Sequence, residues 1–212
     1  MHLLPLLGLL LFVGVGFGWR TWLQWRRFGN SGFMLFHSGR RLQHVREALM
    51  LMLPAVLFAQ AVAYAVAPVR LARFWVVAPR PVLQGMGMAL LVGGTALMAV
   101  AQLDLGASWR IGIEAGARPG LVVGGLYRFC RNPIFLAMLT ALLGFTLLVP
   151  TWLSLAALLG TFAGVRRQVR DEEDYLLRAY GDDYAAYAAA VGRFLPCIGR
   201  LPASHAAAQR PA

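Results

Sequence analysis

From Pro133 to Val165 the chain runs 33 residues without a charged side chain. As one helix that stretch would measure about 50 Å, against a hydrocarbon core of roughly 30 Å, so it has to turn. Pro150 is the natural break, because proline removes a helix hydrogen bond and disfavours helix in the residue before it. A tight helical hairpin follows. Three more uncharged apolar stretches precede it: Leu3 to Trp19, Ala48 to Val69 and Val82 to Leu103. The first follows Met1 and His2 with no basic leader and no small-x-small cleavage site, so it is expected to stay as a transmembrane helix. With 59% hydrophobic and 14% charged residues, the 212-residue chain is not an ordinary soluble domain. The expected fold is an all-α polytopic membrane protein of about five transmembrane helices, with the hairpin fourth and fifth and helices after it in the cytosol. One membrane domain is expected, comprising three N-terminal spans (1–103), a functional half (104–196) and a loose tail (197–212).

All 20 basic residues are arginine, set against 9 acidic ones. They fall between the apolar stretches: six from Arg20 to Arg46, three from Arg70 to Arg80, four from Arg110 to Arg131, none at the Pro150 turn and seven from Arg166 onward. Alternation along the spans gathers 17 of them on one side, which the positive-inside rule makes cytoplasmic, with the N-terminus outside. Positive charge distributed in this way is a topology signal, and nucleic acid is not an expected partner. Cys130 and Cys197 match no zinc or redox spacing, so neither a metal nor a structural disulfide is expected.

Two polar clusters fall on the arginine-rich side. In Gly124-Gly125-Leu126-Tyr127-Arg128-Phe129-Cys130-Arg131-Asn132-Pro133, Asn132 stands as N-cap and Pro133 as first helical residue of the hairpin. This is either a capped membrane helix with arginines on headgroups, or an anion site of arginine and bare amides at a helix start. The second cluster, Arg166 to Gly181, leaves the last span as a helix on which Val169, Glu173, Leu176 and Tyr180 share one face. A carboxylate on an apolar stripe is costly unless paired. Pairs at i, i+4, such as Arg167 with Asp171, account for its neighbours and leave Glu173 unexplained. Beyond Gly181, Tyr184 and Tyr187 share a face as headgroup anchors or as a lid, and Pro196 closes the element.

Together these residues resemble the membrane-embedded methyltransferases related to isoprenylcysteine carboxyl methyltransferase and to phospholipid N-methyltransferases. The family pattern is a G-x-Y loop, R-H-P-x-Y-x-G opening a hairpin, a paired E-E, then F-G-x-x-Y-x-x-Y and a closing proline. Here it reads Gly125-Leu126-Tyr127, Arg131-Asn132-Pro133-Ile134-Phe135-Leu136-Ala137, Glu172-Glu173, Tyr180-Gly181-Asp182-Asp183-Tyr184-Ala185-Ala186-Tyr187 and Pro196, with Leu105 to Arg110 similar to the lead-in. Asn132 replaces the histidine, Phe135 the tyrosine and Ala137 the glycine. Asparagine does not titrate near neutrality, so a contact role carries over and a base role does not.

The resemblance implies S-adenosylmethionine as cofactor, held by Val123, Gly125, Tyr127, Arg131, Asn132, Pro133, Leu136, Glu172 and Glu173. Arg131 or the backbone near Asn132 would take its carboxylate, and Glu172 or Glu173 its ammonium or ribose hydroxyls. Gly85-Met86-Gly87 resembles a G-x-G of the phospholipid branch, although glycines in a membrane helix also serve close packing. Arg166, at the mouth of the last span, is the expected catalytic residue, orienting a lipophilic or small thiol, carboxylate or amine acceptor that enters from membrane lipid. Two alternatives stand beside this reading: an NADPH-dependent membrane reductase of the steroid or sterol reductase type, and a non-catalytic membrane scaffold.

Overall fold

In the computed structural model, residues 2–33, 35–36, 41–109 and 120–201 are described, residues 42 and 43 by backbone alone. Most of the described residues are helical, and none of them forms a strand beyond isolated bridges. The first apolar stretch is one continuous rod: α1 (Leu4–Val13), a π-helical segment (Gly14–Trp19) and α2 (Arg20–Phe28). It was expected to end at Trp19, but Arg20 continues the helix and is buried, 1% exposed. α3 (Arg41–Val66) breaks at Ala67, the residue before Pro68, where α4 (Pro68–Leu71) begins. α5 spans Pro81–Leu105.

The hairpin forms as expected, from α6 (Pro133–Leu148) and α7 (Trp152–Tyr180). Its turn is fastened by hydroxyls: Thr151 Oγ1 accepts from the Ser154 amide at 3.2 Å and Ser154 Oγ donates to the Val149 carbonyl at 2.6 Å. Gln60 of α3 donates to Ser154 Oγ at 2.8 Å. Among the described residues, three helices are long and apolar enough to cross a bilayer alone, Leu4–Phe28, His44–Val66 and Pro81–Ser108, whereas α6 is a shorter apolar helix.

α5 and α6 touch backbone to backbone. A Cβ on Gly87 would sit 2.7 Å from the Gly144 carbonyl oxygen, and one on Gly94 would sit 2.6 Å from the Ala141 nitrogen. Gly87 therefore serves close packing, while the space beside Gly85 is open. Around this contact Leu57, Ala61, Tyr64, Leu91, Phe145 and Leu148 make the core. The Pro150 turn meets the 70s connection through the Val76 amide, which donates to the Pro150 carbonyl at 2.8 Å. At the other end, Arg46 at the start of α3 pairs with Asp171 of α7 at 2.6 Å. That end carries the residues of both polar clusters, and α8 (Asp182–Ala190) follows α7 there.

Candidate functional site

The segment before α6 is anchored from below by a residue the sequence reading missed. Asp104, the carboxylate near the end of α5, accepts from the Leu126 amide at 2.8 Å. Gly125 adopts φ +58°, and any side chain there would overlap the Asp104 carboxylate. Glycine is required on both counts. Tyr127 then points inward, 8% exposed, and its carbonyl accepts from Tyr187 Oη at 2.7 Å. Tyr184 is 1% exposed. Tyr184 of α8 is thus enclosed, and Tyr187 bonds to the loop.

Arg131 and Glu173, 42 residues apart in sequence, are a buried ion pair at 2.6 Å. Arg131 spends the rest of its Nη groups on carbonyls: Nη1 on Ala188 at 2.8 Å and on Val191, Nη2 on Gly199 at 3.0 Å. Its Nε is buried without a hydrogen-bond partner. Glu173 is claimed a second time by Arg193, which the sequence reading also missed. Arg193 Nε reaches Oε1 at 3.0 Å and Nη2 reaches Oε2 at 2.6 Å, a bidentate contact that raises the Arg193 pKa. The apolar stripe that made Glu173 anomalous is real, since Val169 is fully buried beside it, and two guanidinium groups meet its cost.

The same turn closes over the helix start. The Arg131 amide donates to the Gly192 carbonyl at 2.9 Å, and the Asn132 amide to the Arg193 carbonyl at 3.2 Å. The Asn132 side chain makes no cap; its Nδ2 donates to the Arg193 carbonyl at 3.0 Å instead. Residues 197–201, expected to begin a loose tail, are tied down through the Gly199 carbonyl and through the Leu201 amide, which donates to the Ala188 carbonyl at 3.0 Å. The remainder of that tail lies outside the described residues, as does Arg110.

Glu172 differs from its neighbour. It is half-buried, accepts from Gln168 Nε2 at 3.0 Å, and has no cationic partner among the described residues. Burial pushes its carboxyl up to about 7; the Gln168 bond opposes that, and the charges of Glu173 and Asp171 add to it. Tyr127 lies close enough for Glu172 and Asp104 to reinforce the rise that burial imposes on its phenol. Burial also pushes Tyr187 up to about 12. Of the other expected site residues, Pro133 is buried, Leu136 half-buried and Val123 exposed. Arg166 is exposed, its guanidinium 5.8 Å from the Phe162 ring, and it is not brought into the Arg131–Glu173 cluster.

Residues 83–183 match the family described as phospholipid methyltransferase. A comparison with curated proteins finds no match. Among solved structures, the eukaryotic intramembrane Ras methyltransferase, isoprenylcysteine carboxyl methyltransferase, is similar in fold. The TM-score is 0.55 at 18% identity, covering 86% of this chain and 62% of that one. The chain therefore spans less than two thirds of that protein's length. Both findings fall on the membrane methyltransferases that the motifs resemble. The matched stretch holds Tyr127, Arg131, Glu172 and Glu173, and leaves Arg20 and Arg193 outside.

Proposed function

We propose that this chain is an integral membrane methyltransferase that takes its methyl group from S-adenosylmethionine and delivers it to a lipophilic or small thiol, carboxylate or amine acceptor. The observation that carries the reading is the meeting of the loop before α6 with the paired glutamates of α7, in which Glu173 is consumed by two arginines and Glu172 is left without a cation among the described residues. Bound there, the cofactor would supply an electrophilic methyl carbon. The residues fit its chemistry. Glu172, a half-buried carboxyl, suits an ammonium or ribose hydroxyls. The Nε of Arg131, buried without a hydrogen-bond partner among the described residues, suits a carboxylate.

In this reading Val123, Gly125 and Tyr127 wall one side, with Asn132, Pro133 and Leu136 at the helix start. Glu173 acts with Arg131 to fix that wall. Asn132 holds the closing turn and carries no proton. Methyl transfer asks the protein chiefly to orient the acceptor about 3 to 3.5 Å from the reacting carbon, which requires neither a nucleophile triad nor a metal cluster. Arg166, on the outer face of α7, would guide an acidic acceptor or a lipid headgroup; Arg166→Ala would then raise KM for the true acceptor about tenfold, and an unchanged KM would remove it from the reaction. The arginine bias puts the site on the cytosolic side, with the N-terminus outside.

The test is transfer of isotope-labelled methyl from S-adenosylmethionine to membrane lipid extract and to small thiols, amines and carboxylates. Label in one acceptor fraction, abolished by Glu172→Gln, is the expected result. No label in any fraction, together with saturable NADPH binding, would favour the reductase reading.

A further inference from the structure

A second buried arginine stands outside the site just described, and among the described residues no carboxylate neutralises it. Arg20, where the π-helical segment of the first rod passes into α2, is 1% exposed. Its Nη2 donates to the Gly106 carbonyl at 2.6 Å, and its guanidinium lies 4.6 Å from the Trp109 ring centroid. Its Nε is buried without a hydrogen-bond partner, as is the hydroxyl of Thr21, the next residue. No carboxylate pairs with Arg20 among the described residues. A guanidinium offers five N–H donors and a full charge, and one carbonyl plus an aromatic face satisfies neither.

The surroundings favour an anion. From Trp19 to Phe36 the sequence holds Arg20, Arg26 and Arg27 and no acidic residue. Beside Gly106, whose carbonyl Arg20 holds, a Cβ would meet nothing within 4 Å among the described residues. The seam between the first rod and α5 is otherwise built from amides, with Gln102 Nε2 donating to the Gly16 carbonyl at 2.8 Å and Gln24 Nε2 to the Ala107 carbonyl at 3.4 Å. The amide oxygens of both glutamines are buried without partners among the described residues; as acceptors they lend an oxyanion nothing, and the open donors of this seam are Arg20 Nε and the Thr21 hydroxyl.

We propose that Arg20 is the anchor of an oxyanion site, for a phosphate or carboxylate group, lodged between the first rod and the C-terminal end of α5. The site stands independently of the methyl-transfer reading. It lies two residues beyond Asp104, the anchor of the Gly125 loop, so a bound oxyanion would sit beside the candidate cofactor site. The same chemistry is offered by the headgroup of an anionic phospholipid and by free phosphate.

Thermal unfolding of the full chain in neutral detergent separates these sources. Saturating phosphatidylglycerol is expected to raise Tm by about 5 °C or more, as binding to the folded state alone requires, and phosphatidylcholine is not. Arg20→Gln should abolish the rise. If inorganic phosphate produces it too, the ligand is a free oxyanion; if only the lipid does, it is a headgroup; either result supports the site. Should Arg20→Gln fail to fold, Arg20→Lys keeps the charge and loses the planar stack on Trp109, and is expected to retain at most half of the shift. No rise with any anion, an equal rise with phosphatidylcholine, or an undiminished rise in either variant would overturn the assignment.

Discussion

Arg131 and Arg20 are equally deep, at 6% and 1% exposure, and opposite in circumstance. Arg131 meets a carboxylate and three carbonyls contributed by α7, α8 and the turn after it. Arg20 meets, among the described residues, one carbonyl and an indole face. The first arrangement joins elements distant in the chain and leaves the charge balanced inside the protein. The second leaves a charge for something else to balance. Burial of an arginine is thus not one kind of event: in the C-terminal half it assembles structure, and in the first rod it waits on a ligand.

Removing the balancing group should give the largest effect. Glu173→Gln leaves Arg131 and Arg193 facing each other without a carboxylate, and breaking a buried pair in this way costs about 3–5 kcal/mol. A Tm fall of about 10 °C or more in detergent is expected; a fall no larger than that of an exposed control such as Asp174→Asn would show that the clamp does not hold the fold. Gly125→Ala comes next, because it forces a side chain into φ +58° against Asp104. It should weaken cofactor binding at least tenfold, read by calorimetry, with a smaller loss of stability of about 1–3 kcal/mol.

Glu172→Gln tests the unpaired carboxyl through pH. The wild-type group is raised from 4.5 to about 7, so the folded state keeps a proton that the unfolded chain releases between those values. Stability without ligand is therefore greatest below that window and declines as pH rises through it. Affinity for a cation moves the opposite way, growing as the carboxyl ionises near 7. Titrations from about pH 5.5 to about pH 8.5 should show both trends in the wild type and neither in Glu172→Gln. The smallest effect is expected at Arg20: without an anion, Arg20→Gln removes an uncompensated buried charge, and its Tm in neutral detergent should be equal to or above that of the wild type. A fall as large as that of Glu173→Gln would erase the contrast between the two arginines.

Much of the architecture is legible in the sequence because the cost of placing charge in hydrocarbon leaves uncharged runs of spanning length, and a proline within the longest run marks its turn. The Gly125 turn, Tyr127 and the paired glutamates were likewise readable. What was hidden depends on partners far along the chain. Arg193 lies 20 residues beyond Glu173, in a segment whose glycine and proline read as termination, and nothing local announces that it folds back. Asp104 follows directly on the third apolar stretch, with no local sign that it reaches the Gly125 loop. Arg20 was misread for a related reason: a charge closing an apolar run ordinarily marks the membrane surface, and only the approach of Gly106 and Trp109 shows that this one is enclosed. The pattern also could not say which glutamate of the pair is spoken for, since that depends on how α7 is rotated about its axis.

The most direct test of the account is a calorimetric titration of S-adenosylmethionine into the purified full chain at about pH 8, repeated with Glu172→Gln and with NADPH. The account predicts saturable binding to one site, weakened at least tenfold by Glu172→Gln, and no binding of NADPH. Absence of binding, or equal affinity in the two proteins, would contradict it.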